Sequence, residues 1–136
     1  MSNGVLLDTH VLVWLALGER SLGQKARARI DDALKSDAVF VSPISFFEIA
    51  TLRRRGRLLL HEEVAAWRVK VLRQGLVETP LQGDIAIAAA ELGGLPGDPA
   101  DRLITATALS QGCALVTADE GILGWGGTLQ RYDARR

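Results

Sequence analysis

Cysteine is nearly absent from this chain: Cys113 stands alone among 136 residues. One thiol excludes an intramolecular disulfide framework and fits a reducing compartment. Its place in the apolar run Cys113-Ala114-Leu115-Val116 makes it a packing residue rather than a nucleophile. Histidine is almost as scarce, with only His10 and His61. Without a second cysteine or a His-x-x-x-His pair there is no zinc site of ordinary spacing. Aromatic residues make up 5% of the chain, too few for a binder that stacks bases on a platform, so Trp14, Trp67 and Trp125 read as packing residues. No Gly-x-x-x-x-Gly-Lys-Ser/Thr segment occurs, which excludes a P-loop. Long hydrophobic runs are missing too, because Asp8 and His10 interrupt the richest apolar stretch well short of a membrane span. No basic leader with an apolar core opens the chain. The expectation is a soluble, cytoplasmic protein with no membrane segment.

Net charge is also absent, at zero, which by itself argues against a polyanion binder. The average conceals a split. From Arg53 to Arg73 lie seven basic residues (Arg53, Arg54, Arg55, Arg57, Arg68, Lys70, Arg73) against Glu62 and Glu63. From Leu76 to Glu120 lie seven acidic ones (Glu78, Asp84, Glu91, Asp98, Asp101, Asp119, Glu120) against Arg102 alone. A basic region can hold a nucleic-acid backbone and an acidic one a metal. Charge alone is equally consistent with two solvated helix faces of opposite sign.

What is present is alternation, within one domain spanning 1–136. Val5-Leu6-Leu7 reads as a short buried strand, followed by an apolar helix from Thr9 to about Leu17. Ser21 with Gln24 three residues on suggests a capping box for a second helix. Ala38–Val41 is a second strand ended by Ser42-Pro43, and Ser45 opens a helix that runs into the arginine cluster and stops at Gly56. A helix from Glu62 to about Arg73, a strand at Leu76–Glu78 and an alanine-rich helix from about Asp84 to Leu92 follow. Asp98-Pro99 starts the next helix, with proline at the first helical position, where its missing N–H does no harm. Ala114–Thr117 is a fourth strand and Thr128–Tyr132 a fifth. Strands alternating with helices, and strands apolar on both faces, predict an α/β fold with a parallel sheet of about five strands covered by helices on both faces. In such sheets ligands bind beyond the carboxyl ends of the strands, where strand order reverses.

Four acids matter within such a fold: Asp8, Glu48, Asp101 and Asp119. Each has a plain structural reading. Asp8 is an N-cap, Ser45-x-x-Glu48 a capping box, Asp101 a first-turn acid on a helix capped by Asp98, and Asp119 a turn residue. Taken together they have another. Asp8 and Asp119 end strands while Glu48 and Asp101 begin helices, and in a parallel α/β sheet these places share one rim. Clustered carboxylates repel unless a cation sits among them. All-oxygen donors suit Mg²⁺ or Mn²⁺, ions that commonly partner phosphates, so the expected chemistry is phosphoryl transfer.

The segments Leu7-Asp8-Thr9-His10 with Trp14 on the helix after it, Ser45-Phe46-Phe47-Glu48-Ile49-Ala50, Asp98-Pro99-Ala100-Asp101-Arg102-Leu103-Ile104 and Val116-Thr117-Ala118-Asp119 resemble, in order and spacing, the PIN-domain ribonucleases. They most resemble the toxin half of VapBC-type toxin–antitoxin pairs. The resemblance implies Mg²⁺- or Mn²⁺-dependent RNA cleavage, a homodimer and a cognate VapB-type antitoxin that inhibits the enzyme. It implies catalytic and metal-binding roles for Asp8, Glu48, Asp101 and Asp119, with Thr117 and Asp98 in support. Two places depart from the family pattern: Gly93–Gly97, where His and Arg are common, and Ala100, where a bulky aromatic is usual. Arg53, Arg54 and Arg55 are candidate RNA-binding residues. A phospho-acceptor signalling domain would share the acidic pocket but needs a lysine near its last strands, and none follows Lys70. A catalytically inactive PIN-like domain that binds RNA or protein is the remaining alternative.

Overall fold

The computed structural model describes residues 4–136. Its strands are β1 (Val5–Leu7), β2 (Val39–Val41), β3 (Val77–Glu78), β4 (Ala114–Thr117) and β5 (Arg131–Asp133). They form one sheet of order β3-β2-β1-β4-β5 with every pairing parallel, as the apolar strand pattern predicts. The helices are α1 (Thr9–Leu17), α2 (Gln24–Leu34), α3 (Pro43–Arg54), α4 (Val64–Arg73), α5 (Gly83–Glu91), α6 (Pro99–Gln111) and α7 (Glu120–Leu123). The chain leaves β1 toward β2 and β3, then returns to lay β4 and β5 on the other side of β1. Strand order therefore reverses between β1 and β4, and their carboxyl ends flank the crevice where this architecture binds ligands.

Both sheet faces are buried, which is why the strands lack polar alternation. On one face Val5, Leu7, Val39, Val41 and Val116 pack with Leu12, Ile30 and Trp67 from α1, α2 and α4. On the other, Leu6 and Leu115 pack with Ile104 and Ala108 of α6 and with Cys113, buried as expected. Helix α5 lies on α6 through Ile85, Ala89 and Ala106. No helix among the described residues is long and apolar enough to cross a membrane.

Three local expectations are corrected. Helix α2 begins at Gln24, with Gly23 in the capping position, so Ser21 caps nothing. The first N–H groups of α2 are served instead by the main-chain oxygen of Arg136, which accepts from Lys25 and Ala26 at 2.9 and 3.1 Å. Strand β5 starts at Arg131 rather than Thr128, because its register is set by hydrogen bonds to β4 and not by an apolar pattern of its own. The short helix α7 follows Asp119 where a turn was expected.

Candidate active site

Asp8 leaves β1 and is 6% exposed. Its backbone has the extended conformation of an N-cap, and Oδ1 accepts from the Thr9 amide at 2.8 Å. That is the first amide of α1, not the second or third that a capping side chain normally serves. Oδ2 accepts from the Thr117 hydroxyl at 2.6 Å. Thr117 is fully buried at the end of β4, and its hydroxyl oxygen accepts in turn from the Asp119 amide at 3.0 Å. One hydroxyl thus ties together the two strand ends across the switch point. Asp119 caps α7, its Oδ1 accepting from the Ile122 amide at 3.0 Å.

Glu48 arrives differently from its expected capping box. Helix α3 starts earlier: Ser42 is its N-cap, accepting from the Ile44 amide at 3.2 Å, and Pro43 occupies the first position. Ser45 and Glu48 consequently lie inside the helix, three residues apart on one face. They meet α1, where the Thr9 hydroxyl donates to Glu48 Oε1. With its proton so committed, the Thr9 oxygen accepts from the buried Ser45 hydroxyl 2.9 Å away. This Ser45–Thr9–Glu48 chain was hidden from sequence reading. The signal was Ser42-Pro43, the same cap-then-proline pattern that correctly marks Asp98-Pro99.

On the remaining side Asp98 caps α6 by accepting from the Asp101 amide at 2.9 Å. Gly97 precedes it with φ +128°, and a methyl group there would stand 3.0 Å from Asp101 Oδ2, so both backbone conformation and space require glycine. Asp8, Glu48, Asp98, Asp101 and Asp119, with Thr9, His10, Trp14 and Ala118, line one cleft of about 340 Å³. His10 lines the cleft and is exposed. Ala100, one of the two departures from the pattern, is buried in the first turn of α6.

The electrostatics follow from this crowding. Burial raises the Asp8 pKa, against the hydrogen bonds from Thr117 and Thr9. Burial also raises Glu48, opposed by the Thr9 hydroxyl and assisted by Asp98 and Asp8. Asp101 is pushed up to about 7, first by burial and then by Asp8, Asp98, Asp119 and Glu48. Such a cluster keeps a proton near neutrality unless a cation replaces it. Among the described residues no three His, Cys, Asp or Glu side chains converge tightly enough to hold a metal ion by themselves. The oxygen donors around this cleft instead suit a hard cation that retains waters and takes one or two carboxylates directly.

The arginine cluster lies elsewhere. Arg54 is six residues beyond Glu48 on α3, about 9 Å along the helix axis. Arg53 folds back, donating to the Leu60 carbonyl at 3.3 Å and lying 3.7 Å from Glu63. Arg54 and Arg55 are exposed.

The PIN domain family model matches residues 5–123, a span that contains all of the cleft residues. The chain belongs to the PIN-domain family. Within that family it is 38% identical over 116 residues to ribonuclease VapC22 of Mycobacterium tuberculosis, covering 85% of this chain and 86% of that relative. Solved structures share the fold at lower identity. VapBC2 from Rickettsia felis, bound to a DNA fragment from its promoter, has a TM-score of 0.69 at 16% identity over 94% of this PIN chain and 96% of that one. DNA-bound VapBC from Salmonella typhimurium has a TM-score of 0.67 at 20% identity over 96% and 97%. The family expected from the four acidic segments is the family found.

Proposed function

We propose that this PIN domain is the endoribonuclease toxin of a type II toxin–antitoxin pair, using Mg²⁺ or Mn²⁺ that one or two of Asp8, Glu48, Asp101 and Asp119 would hold directly and the others through its retained waters. The observation that carries the reading is the convergence of these acids in one cleft at the switch point, with Asp101 only partly ionised near neutral pH on its own. Ribonuclease VapC22, the homologous relative, gives the chemistry its class. An intact set of acids favours the enzyme over an inactive binding domain.

Bound here, the ion would polarise the scissile phosphate and activate the attacking water. The chain's own residues supply the rest. Asp8, gripped at both carboxylate oxygens, cannot swing away from the ion. Thr9 holds Glu48, which lines the cleft, by one carboxylate oxygen. Thr117 keeps Asp119 in step with Asp8, and Asp98 fixes the first turn that carries Asp101. Asp101 would hold the ion as a carboxylate, the positive charge offsetting the burial and neighbouring acids that raise its pKa.

The kinship with VapBC complexes supports a homodimer and a VapB-type antitoxin as partner. A groove with an apolar floor of Ala16, Leu17, Leu59, Leu60, Trp67 and Val71 and a border of His61, Glu62, Lys70 and Gln74 lies at the end of α1, with Leu59 75% exposed. An antitoxin segment laid there would reach the acidic cleft with a basic side chain in place of the cation. Purified without any antitoxin, the protein should cleave RNA with Mn²⁺ and stop on addition of EDTA. Undiminished cleavage in EDTA would contradict the metal assignment.

A further inference from the structure

The loop between α5 and α6 ends at Asp98 on the cleft, and two side chains that do not line the cleft hold it. Arg102 follows Asp101 on α6, and successive helical residues point about 100° apart, so it faces away from the cleft. Its guanidinium donates to four main-chain carbonyls. Nε reaches Ala89 at 3.0 Å, Nη1 reaches Leu95 at 2.8 Å, and Nη2 reaches Ala90 and Leu92 at 3.2 and 2.6 Å. These include the Ala89 and Ala90 carbonyls in the last turn of α5, where Ala89 also accepts from the Leu92 amide at 3.5 Å. Trp125 holds the same loop from the other side, its indole N–H donating to the Gly93 carbonyl at 2.9 Å. Gly127 gives that ring its room: a methyl group there would lie 2.3 Å from ring carbons. Just beyond these anchors the loop reaches α7, since a methyl group at Gly121 would stand 2.9 Å from Pro96 and 3.1 Å from Asp119 Oδ1. It then delivers Gly97 against Asp101 and Asp98 into the cap of α6.

We propose that Arg102 and Trp125 are positioning residues: they suspend the 92–98 loop between α5 and α7 and so fix the distance of Asp98 and Asp101 from Asp119. Neither touches the reacting groups, and each acts through main-chain oxygens of one loop. The inference rests on the metal-nuclease reading above and adds to it the parts that set the cleft's width. A fork of five N–H donors fits the Arg102 role, whereas a lysine ammonium cannot span four carbonyls.

The test uses Arg102→Lys and Trp125→Phe, singly and together, in the full chain. Three quantities are read: the denaturation midpoint, the Mn²⁺ dissociation constant from metal-induced melting shifts, and kcat and KM for RNA cleavage. Loosened positioning should weaken Mn²⁺ binding and lower kcat about tenfold in each folded variant, the low end of what residues orienting metal ligands cost. KM for RNA should hold. The double variant should lose much less than the product of the two single losses, because both act on one loop. Wild-type Mn²⁺ affinity and kcat in folded Trp125→Phe would overturn the proposal even if Arg102→Lys failed to fold. A wild-type protein that neither binds Mn²⁺ nor cleaves RNA would instead remove the nuclease reading and this inference with it.

Discussion

The two sides of the acidic cleft are built by different physics. Asp8 and Asp119 stand at the ends of β1 and β4, whose pairing (Leu7 opposite Val116) leaves them little freedom, and buried Thr117 bonds to both. Asp98 and Asp101 stand at the start of α6, behind a loop held by Arg102 and Trp125. Glu48 lies between these extremes, inside α3 but tied sideways to Thr9 on α1. The strand side is fixed by sheet register, the helix side by side-chain bonds to a loop. Damage to the first should therefore cost stability and activity together, and damage to the second mainly activity.

Thr117→Val should break the strand side hardest. It leaves the buried Asp8 Oδ2 and the Asp119 amide without partners, for about 2–3 kcal/mol of stability by denaturant melts. It also removes a hydrogen bond that favours ionised Asp8, so the Asp8 pKa should climb further. Thr9→Val loses a bond to Glu48, whose half-buried carboxylate water can reach, and also the partner of the buried Ser45 hydroxyl, so about 1–2 kcal/mol is expected. Equal losses in the two variants would erase the contrast.

The pH dependence sharpens it. The Asp101 carboxyl titrates near 7 in the folded protein and near 3.8 in the unfolded chain. Between those values the folded state binds more protons, so metal-free stability should fall as pH rises from about 4 to about 7, then level off. Asp101→Asn should remove its share of that slope, and Mn²⁺ should flatten it in the wild type. A metal-free stability curve identical in the Asn variant would show that Asp101 ionises freely.

The smallest effect lies farthest from the cleft. Neutralising Arg54 and Arg55 should lower the log–log salt dependence of RNA binding by roughly 0.7 to 0.9 for each phosphate no longer neutralised. Arg53, already spent on Leu60 and Glu63, should cost stability rather than salt dependence. An unchanged slope in the Arg54/Arg55 double variant would place the arginines off the RNA path.

The strand side was also the side most legible in the sequence. Val5–Leu7 and Ala114–Thr117 are apolar on both faces, and acids directly after them fall on the rim in any parallel sheet. The helix side was legible only in part. Asp98-Pro99 announces its cap, but Ser42-Pro43 reads equally well as a strand end, which turns Ser45 and Glu48 into a capping box they do not form. Four-residue α7 is too short to show a period. Arg102 reads as a lone base among acids, since its four carbonyl partners are assembled only when α5 and the loop fold over it.

Whether Asp8 and Glu48 bind a cation or merely hold the fold decides between a nuclease and an inert domain. Thermal melts of wild type, Asp8→Asn and Glu48→Gln, with and without Mn²⁺ and beside an RNA-cleavage assay, test this most directly. Both substitutions keep size while removing charge; Glu48→Gln retains an acceptor for Thr9, whereas Asp8→Asn turns one of the two oxygens that accept from Thr9 and Thr117 into a donor. Without metal, Glu48→Gln should be at least as stable as wild type, because one member of a repelling cluster is gone, while Asp8→Asn sets the same relief against a lost acceptor for Thr117. With Mn²⁺ at about a hundredfold excess over its dissociation constant, wild type should gain about 2.7 kcal/mol. The variants should lose most of that gain and the cleavage with it. Full metal stabilisation and full activity in both would mean that these carboxylates only hold the fold together.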